Sequence, residues 1–141
     1  MAESPSAAEA AFYAAFERSD IKRMMAVWAN SADICCIHPL GDILLGTERI
    51  RASWMDIFAA PVPRKIEVER VRLIQHGDLA IHFVRETLIL PSNFPRVLPI
   101  IAANTYRLYD GGWRMVVHHA SPLQPSVPVD PPRPSFSPTR H

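Results

Sequence analysis

Two histidine-bearing segments dominate the chemistry open to this chain. They are Ile37-His38-Pro39-Leu40-Gly41 and Trp113-Arg114-Met115-Val116-Val117-His118-His119-Ala120-Ser121-Pro122. Each histidine lies in an apolar, strand-like run rather than in a polar loop. A neutral imidazole donates one hydrogen bond, accepts another, and changes charge near neutral pH. Two such groups inside an apolar cavity make either a reaction site or a polar binding site.

Strand parity decides which histidine can enter such a cavity. His118 and His119 are adjacent, so their side chains point to opposite faces of a strand. The parity Trp113, Met115, Val117, His119, Ser121 is the more apolar, which predicts that it lines the cavity. A hairpin that pairs Asp110 with Trp113 sets His119 opposite Asn104 on that face, and a register shifted by one residue sets His118 there instead. Asn104 sits among Ile100, Ala102, Tyr106 and Leu108, and a buried amide there needs a partner, since leaving it bare costs roughly 1–3 kcal/mol. Its partner is a ligand or a side chain such as His119. His82 and Glu86 share one parity of an earlier strand, as a relay pair or as an exposed or interfacial pair. Cys36 and His38 share a face, yet no spacing matches a zinc signature and no metal is expected. Phosphate loops and nucleophile elbows are absent from the sequence.

The elements that must position these groups follow from periodicity. Phe12 and Phe16 mark one face of a helix over Ala7 to Arg18, with Ser4 as cap and Pro5 in the first turn. Ile21, Met24, Met25 and Trp28 predict a second short helix to about Ala29. Asp33 to His38 reads as a strand that ends at Pro39. Thr47 caps a third helix with Ile50, Trp54, Ile57 and Phe58 as its apolar stripe, and Pro61-Val62-Pro63 stops it. Sheet follows. Lys65 to Gln75 changes parity midway, which predicts a bulge near Glu69-Arg70. Leu79 to Leu90 is the next strand, and a loop runs through Pro91, Pro95 and Pro99. Ile100 to Tyr109 then turns at Asp110-Gly111-Gly112 into Trp113 to Ser121. Three helices, one early strand and a four-strand antiparallel meander make an α+β fold.

A chain of 141 residues is long enough to bury a core without disulfides. Cys35 and Cys36 are neighbours and poorly placed to bridge each other. A net charge of +1 with no basic cluster gives no footprint for nucleic acid. Apolar runs are too short to span a bilayer, and Met1-Ala2-Glu3-Ser4 lacks the basic start of a signal peptide. A cytoplasmic protein is expected. Residues 1–124 read as one domain, and 125–141, dense in proline, as an extended tail.

Several strings in order resemble the nuclear transport factor 2-like superfamily, and within it the SnoaL-like and ketosteroid isomerase-like small proteins. They are Phe12-Tyr13-Ala14-Ala15-Phe16-Glu17-Arg18-Ser19-Asp20, His38-Pro39-Leu40-Gly41, Leu45-Gly46-Thr47-Glu48-Arg49-Ile50-Arg51-Ala52-Ser53-Trp54, and Asn104-Thr105-Tyr106-Arg107 with Gly112-Trp113 to Pro122. The resemblance implies a conical barrel whose pocket lies between a strongly curved antiparallel sheet and three N-terminal helices, and a homodimer packed through the sheet. Ketosteroid isomerase uses an Asp base and an oxyanion hole of Tyr plus protonated Asp. The base position, just before a proline, falls on His38, while a gapless alignment puts Cys36 there. The oxyanion Tyr falls on Phe12, with Tyr13 adjacent but about 100° away around a helix of ~3.6 residues per turn. The protonated Asp falls on Asn104, whose amide donates without a perturbed pKa.

The expected site is therefore His38 as base, with Asn104 and His119 stabilising or reprotonating an enolate. Phe12, Tyr13, Trp28, Trp54, Tyr106 and Val117 shape the pocket. Two functions fit. One is a cofactor-free isomerase, dehydratase or cyclase that moves a proton on a small apolar carbonyl compound. The other is a non-catalytic ligand-binding or dimeric assembly module of the same fold.

Overall fold

A computed structural model of the chain describes residues 2–60, 63–90 and 96–123. The segment 125–141 and the loop prolines Pro91 and Pro95 lie outside the described residues.

The helices begin much as their local signals dictate. Helix α1 spans Pro5–Arg18, with Ser4 Oγ accepting from the Ala7 amide 3.0 Å away and Pro5 in the first turn. Ser19 ends it in the left-handed region, and Asp20 caps α2, Ile21–Val27. This second helix stops before the expected Ala29. Trp28 forms a parallel bridge with Met115, and the Ala29 amide donates to the Met115 carbonyl. Helix α3 spans Thr47–Ala59. Its N-cap is Gly46, not Thr47. The Thr47 hydroxyl instead accepts from the Ser31 amide and donates to Asn30 Oδ1, tying the helix to the preceding loop.

Among the described residues the sheet has six strands, in the order β2-β1-β6-β5-β4-β3. They are β1 (Cys35–Ile37), β2 (Ile43–Leu45), β3 (Lys65–His76), β4 (Leu79–Leu90), β5 (Arg96–Tyr109) and β6 (Gly112–Pro122). The order has two free ends, β2 and β3, so the sheet is open rather than a closed barrel. It is also mixed, because β1 runs parallel to β6. Strand β2 is unanticipated, since three apolar residues are too few to show a period of two. Strand β5 starts at Arg96, not Ile100. Pro99 is tolerated there because the β6 ladder ends with Pro122 opposite Ile100; past that end the Pro99 carbonyl still accepts from the Leu123 amide, and no ladder partner calls for the missing N–H.

Two bulges set which side chains face inward. In β3 the register shifts between Arg70 and Arg72, one residue beyond the expected place. In the β5–β6 ladder it shifts between Thr105 and Tyr106, so Val116 is an extra residue on β6. Inward residues of β6 are therefore Trp113 and Met115 before the bulge, and His118 and Ala120 after it. Phe12, Met24, Trp28, Ile34, Ile50, Val84, Tyr106 and Met115 fill the space between this face and the helices.

Candidate functional site

One row across the inner face of the sheet carries polar groups. His82 stands opposite Asn104, Asn104 opposite His118, and His118 beside Cys36 of β1. All four are buried. Two residues along β4 from Val84, Glu86 is also buried on this face. The strand parity Ala80, His82, Val84, Glu86 is thus the inward one.

With Glu86 ionised, the hydrogen bonds among these groups have only one consistent direction. Tyr13 of α1 donates its hydroxyl proton to Glu86 Oε2. Its oxygen then accepts from Asn104 Nδ2, 2.8 Å away. That orients the amide, so Asn104 Oδ1 faces His118 Nδ1 at 2.6 Å and must accept from it. His118 is held as the Nδ1–H tautomer, with Nε2 bare. Burial, helped by the nearby His38 and His119, pushes the His118 imidazolium down to about 3, so the ring is neutral. Burial pushes the Glu86 carboxyl up to about 7, against the lowering effect of the Tyr13 bond. The Tyr13 hydroxyl is raised far above its ordinary value by burial and by the Glu86 charge.

His38 is held by a different device. Its Nε2 lies 3.0 Å from Ser53 Oγ, and that hydroxyl lies 2.7 Å from the Ile50 carbonyl. A carbonyl only accepts, so the Ser53 proton goes to Ile50 and His38 Nε2 must be the donor. The lone pair of His38 is on Nδ1. Burial lowers its pKa. Its ring meets Trp54 edge-on, with centroids 4.7 Å apart, and lies 6.3 Å from the His118 ring. The Cys36 thiol is 3.6 Å from His38 Nε2, but burial pushes it up to about 12, too high for a nucleophile at neutral pH.

These groups meet at a cavity of about 140 Å³ between α1, α3 and the sheet. Tyr13, His38, Glu86 and His118 are its polar lining, and Phe12, Phe16 and Trp54 are its aromatic wall. Ile57, Ile66, Leu88 and Ile100 supply aliphatic surface, and Pro39 completes the lining. No Lys or Arg is among the described residues that line it.

Five expectations about individual residues, and one about a pair, are corrected. His119 is exposed on the outer face, opposite Ala103, and His118 occupies the inward position because the Val116 bulge reverses the parity of β6. Asn104 does not reach the cavity; both ends of its amide are taken by Tyr13 and His118. Trp28, Tyr106 and Val117 do not line the cavity. Trp28 and Tyr106 are core, and Val117 sits on the outer face between Cys35 and Thr105. Tyr13, by contrast, lines the cavity beside Phe12. His82 and Glu86 are not a pair either. His82 Nδ1 lies 3.0 Å from Glu9 Oε2, and Glu9 Oε1 accepts from Arg70 Nε at 2.7 Å. This second buried cluster pins α1 to β3 and β4.

Glu86 and Ser53 were not foreseen as parts of the site. For Glu86 a signal exists in the shared parity with His82. It is obscured because the opposite parity of β4, Leu79, Ile81 and Phe83, is just as apolar. Ser53 carries no signal in the chain, since its role depends on where α3 meets the end of β1.

Comparison with known proteins places this geometry. The SnoaL-like domain family matches residues 6–125. A structure from Thiobacillus denitrificans, described as a calcium/calmodulin-dependent protein kinase type II association domain, is 44% identical. It covers 88% of this chain and 98% of its own, with a TM-score of 0.82. A structure from Streptomyces avermitilis, described as a candidate dehydratase of the NTF2-like family, is 26% identical and covers 85% of this chain and 94% of its own, with a TM-score of 0.78. The F-box protein SKIP8 of Arabidopsis thaliana is 26% identical over 110 residues, which is 78% of this chain and 46% of that protein. The chain therefore spans about half the length of this relative. The α+β arrangement, three helices on an open sheet, is the cone-shaped NTF2-like fold.

Proposed function

The chain belongs to the SnoaL-like domain family, and from that premise we propose that it is a cofactor-free proton-transfer enzyme, a lyase or isomerase of a small uncharged carbonyl compound. The observation that carries this is the carboxyl of Glu86, held by the Tyr13 hydroxyl in the wall of an apolar cavity that His38 also lines. A carboxyl in such surroundings stays protonated to near-neutral pH and serves as an acid, while a neutral imidazole with a free Nδ1 serves as a base. Two proton carriers in one cavity suit the loss of water from a β-hydroxy ketone. His38 Nδ1 takes the proton beside the carbonyl, the C–H electrons form the new double bond, and the C–O bond breaks as Glu86 protonates the departing hydroxyl. Water leaves. The proton on His38 returns to Glu86 through solvent. Asn104 acts behind the cavity wall, orienting both Tyr13 and His118. The likeness to a structure from Streptomyces avermitilis described as a candidate dehydratase supports this reading.

The test is deuterium exchange and product formation with a set of small β-hydroxy ketones. Wild type is expected to exchange the α-hydrogen and release the unsaturated ketone. His38→Ala is expected to lose exchange. Glu86→Gln is expected to keep exchange and lose water elimination. Exchange at the wild-type rate in His38→Ala would sink the base assignment.

A second reading is assembly, and one observation favours it. The outer face of the sheet carries Ile74, Ile81, Phe83, Ala103 and Val117. An antiparallel sheet with an apolar second face buries it against something. A second copy of this chain is the natural cover, and the likeness to a kinase association domain supports that choice. Assembly and catalysis use opposite faces and do not exclude each other.

A further inference from the structure

Hydrogen-bond logic also limits what can enter the cavity. The Asn104 bond occupies the Nδ1–H of His118, and the Ser53 bond occupies the Nε2–H of His38. The Tyr13 proton is given to Glu86. Once Glu86 is ionised, every polar proton on the described lining side chains is thus directed away from the cavity, except the indole N–H of Trp54, which is sealed in the core without a partner. What remains are lone pairs. Glu86 Oε1, His118 Nε2 and His38 Nδ1 have no partner among the described residues. Glu86 and His118 are almost wholly buried, at 5% and 4% exposure, yet these two free atoms are not among the sealed ones. Their remaining surface therefore opens on the cavity that both residues line.

We propose that the cavity takes an uncharged ring compound of about benzene size that carries two or more hydroxyl or N–H groups, and that it turns away carboxylates of the same size. The size follows from the volume of about 140 Å³, since cavities near 150 Å³ hold benzene. The polarity follows from matching donors to lone pairs, because a buried acceptor left bare costs free energy. A carboxylate brings only further lone pairs, adds a charge beside Glu86, and meets no Lys or Arg among the described residues of the wall. Flat apolar walls of Phe12, Phe16 and Trp54 favour the ring. The inference rests on the same cavity being the working site, and it narrows the hydroxy ketone of that reading to a cyclic one with a second hydroxyl or N–H group, rather than a small organic acid.

The experiment uses the full chain at pH 8, where Glu86 is ionised, and three probes with one ring: cis-1,3-cyclohexanediol, cyclohexanone and cyclohexanecarboxylate. Binding is followed by tryptophan fluorescence and by the melting temperature. The diol is expected to bind saturably and at least about tenfold more tightly than the carboxylate, a difference of ~1.4 kcal/mol. Glu86→Gln, near-isosteric, is expected to weaken the diol by a factor of about five or more. Leu88→Trp, which fills the cavity, is expected to abolish binding. Equal or tighter binding of the carboxylate, no binding of the diol up to its solubility, or diol binding unchanged in either variant would each overturn the proposal. A diol that binds as expected while no compound is turned over would defeat the catalytic reading alone. Turnover of hydroxy ketones with carboxylate-selective binding would defeat this inference alone.

Discussion

Asn104 and His118 face each other across the β5–β6 ladder, with Oδ1 and Nδ1 2.6 Å apart. The contact sets more than the position of one ring. The same amide passes its Nδ2–H to Tyr13, whose proton goes to Glu86. One amide therefore dictates the tautomer of a histidine and the hydrogen bond of a carboxylate on opposite sides of it. All three bonds point the same way, from His118 toward Glu86, so each polarises the next.

Stability is expected to depend on pH in opposite senses through the two ends of this chain of bonds. Glu86 is raised from 4.5 to about 7, so the folded state binds its proton more tightly than the unfolded chain does. Its contribution is complete below pH 4.5 and is lost as pH rises through about 7, by up to about 3 kcal/mol. His118 is lowered from 6.5 to about 3, so its contribution is complete above pH 6.5 and is lost as pH falls through about 3. Urea denaturation across pH 4 to 9 checks this. Glu86→Gln is expected to flatten the alkaline arm of the difference from wild type and leave the acid arm. An unchanged alkaline arm would mean that Glu86 ionises normally.

Ser53 is expected to be a positioning residue for His38. With its own proton committed to the Ile50 carbonyl, Ser53 can only accept from His38 Nε2. Nitrogen-15 shifts of the ring are expected to show His38 in wild type with Nε2 protonated and Nδ1 bare. In Ser53→Ala they move toward an average of the two tautomers, at similar overall stability. A mixed tautomer already present in wild type would remove the role.

Leu40 carries backbone strain. His38 to Gly41 forms a turn, closed by the Gly41 amide on the His38 carbonyl at 2.8 Å, with Pro39 second and Leu40 third at φ 66. That third position calls for a positive φ and favours glycine. The Leu40 side chain is 92% exposed, so shortening it removes no packing. Leu40→Gly is expected to stabilise the protein by about 1 kcal/mol, measured by chemical denaturation. A loss of stability would show that the turn is not strained.

The outer face of the sheet gives a prediction about association. Phe83 stands opposite Arg72 on one side and Ala103 on the other, in the same row as His119 and Ile37. Wild type is expected to sediment as a dimer, and Phe83→Glu to sediment as a monomer with its helical signal intact. A wild-type monomer at tens of micromolar would leave that face without a second copy to cover it.

Much of this architecture is decided locally. The Ser4-Pro5 start, the Phe12–Phe16 stripe, a turn within Asp110-Gly111-Gly112 and the long strands need only neighbours a few residues away, so they can be read along the chain; the hairpin register is not among them, since Trp113 pairs with Leu108 and not with Asp110. The family strings carry the α+β fold and bring His38, Phe12, Tyr13 and Trp54 to one region. The parity change in β3 shows in its apolar residues, but the one in β6 does not. Nothing local marks Val116 as the bulge, yet that single extra residue exchanges His119 for His118 at the cavity and leaves the more apolar-looking parity outside. The same holds for Glu86, Ser53 and Asn104. Their roles depend on which atoms stand across a ladder or a helix contact, between residues as far apart as Tyr13 and Glu86. Sequence composition sets what each side chain is able to do. Only the register and the helix docking decide which lone pair, proton or ring it meets, because a strand shows opposite faces at every step and one inserted residue reverses them all.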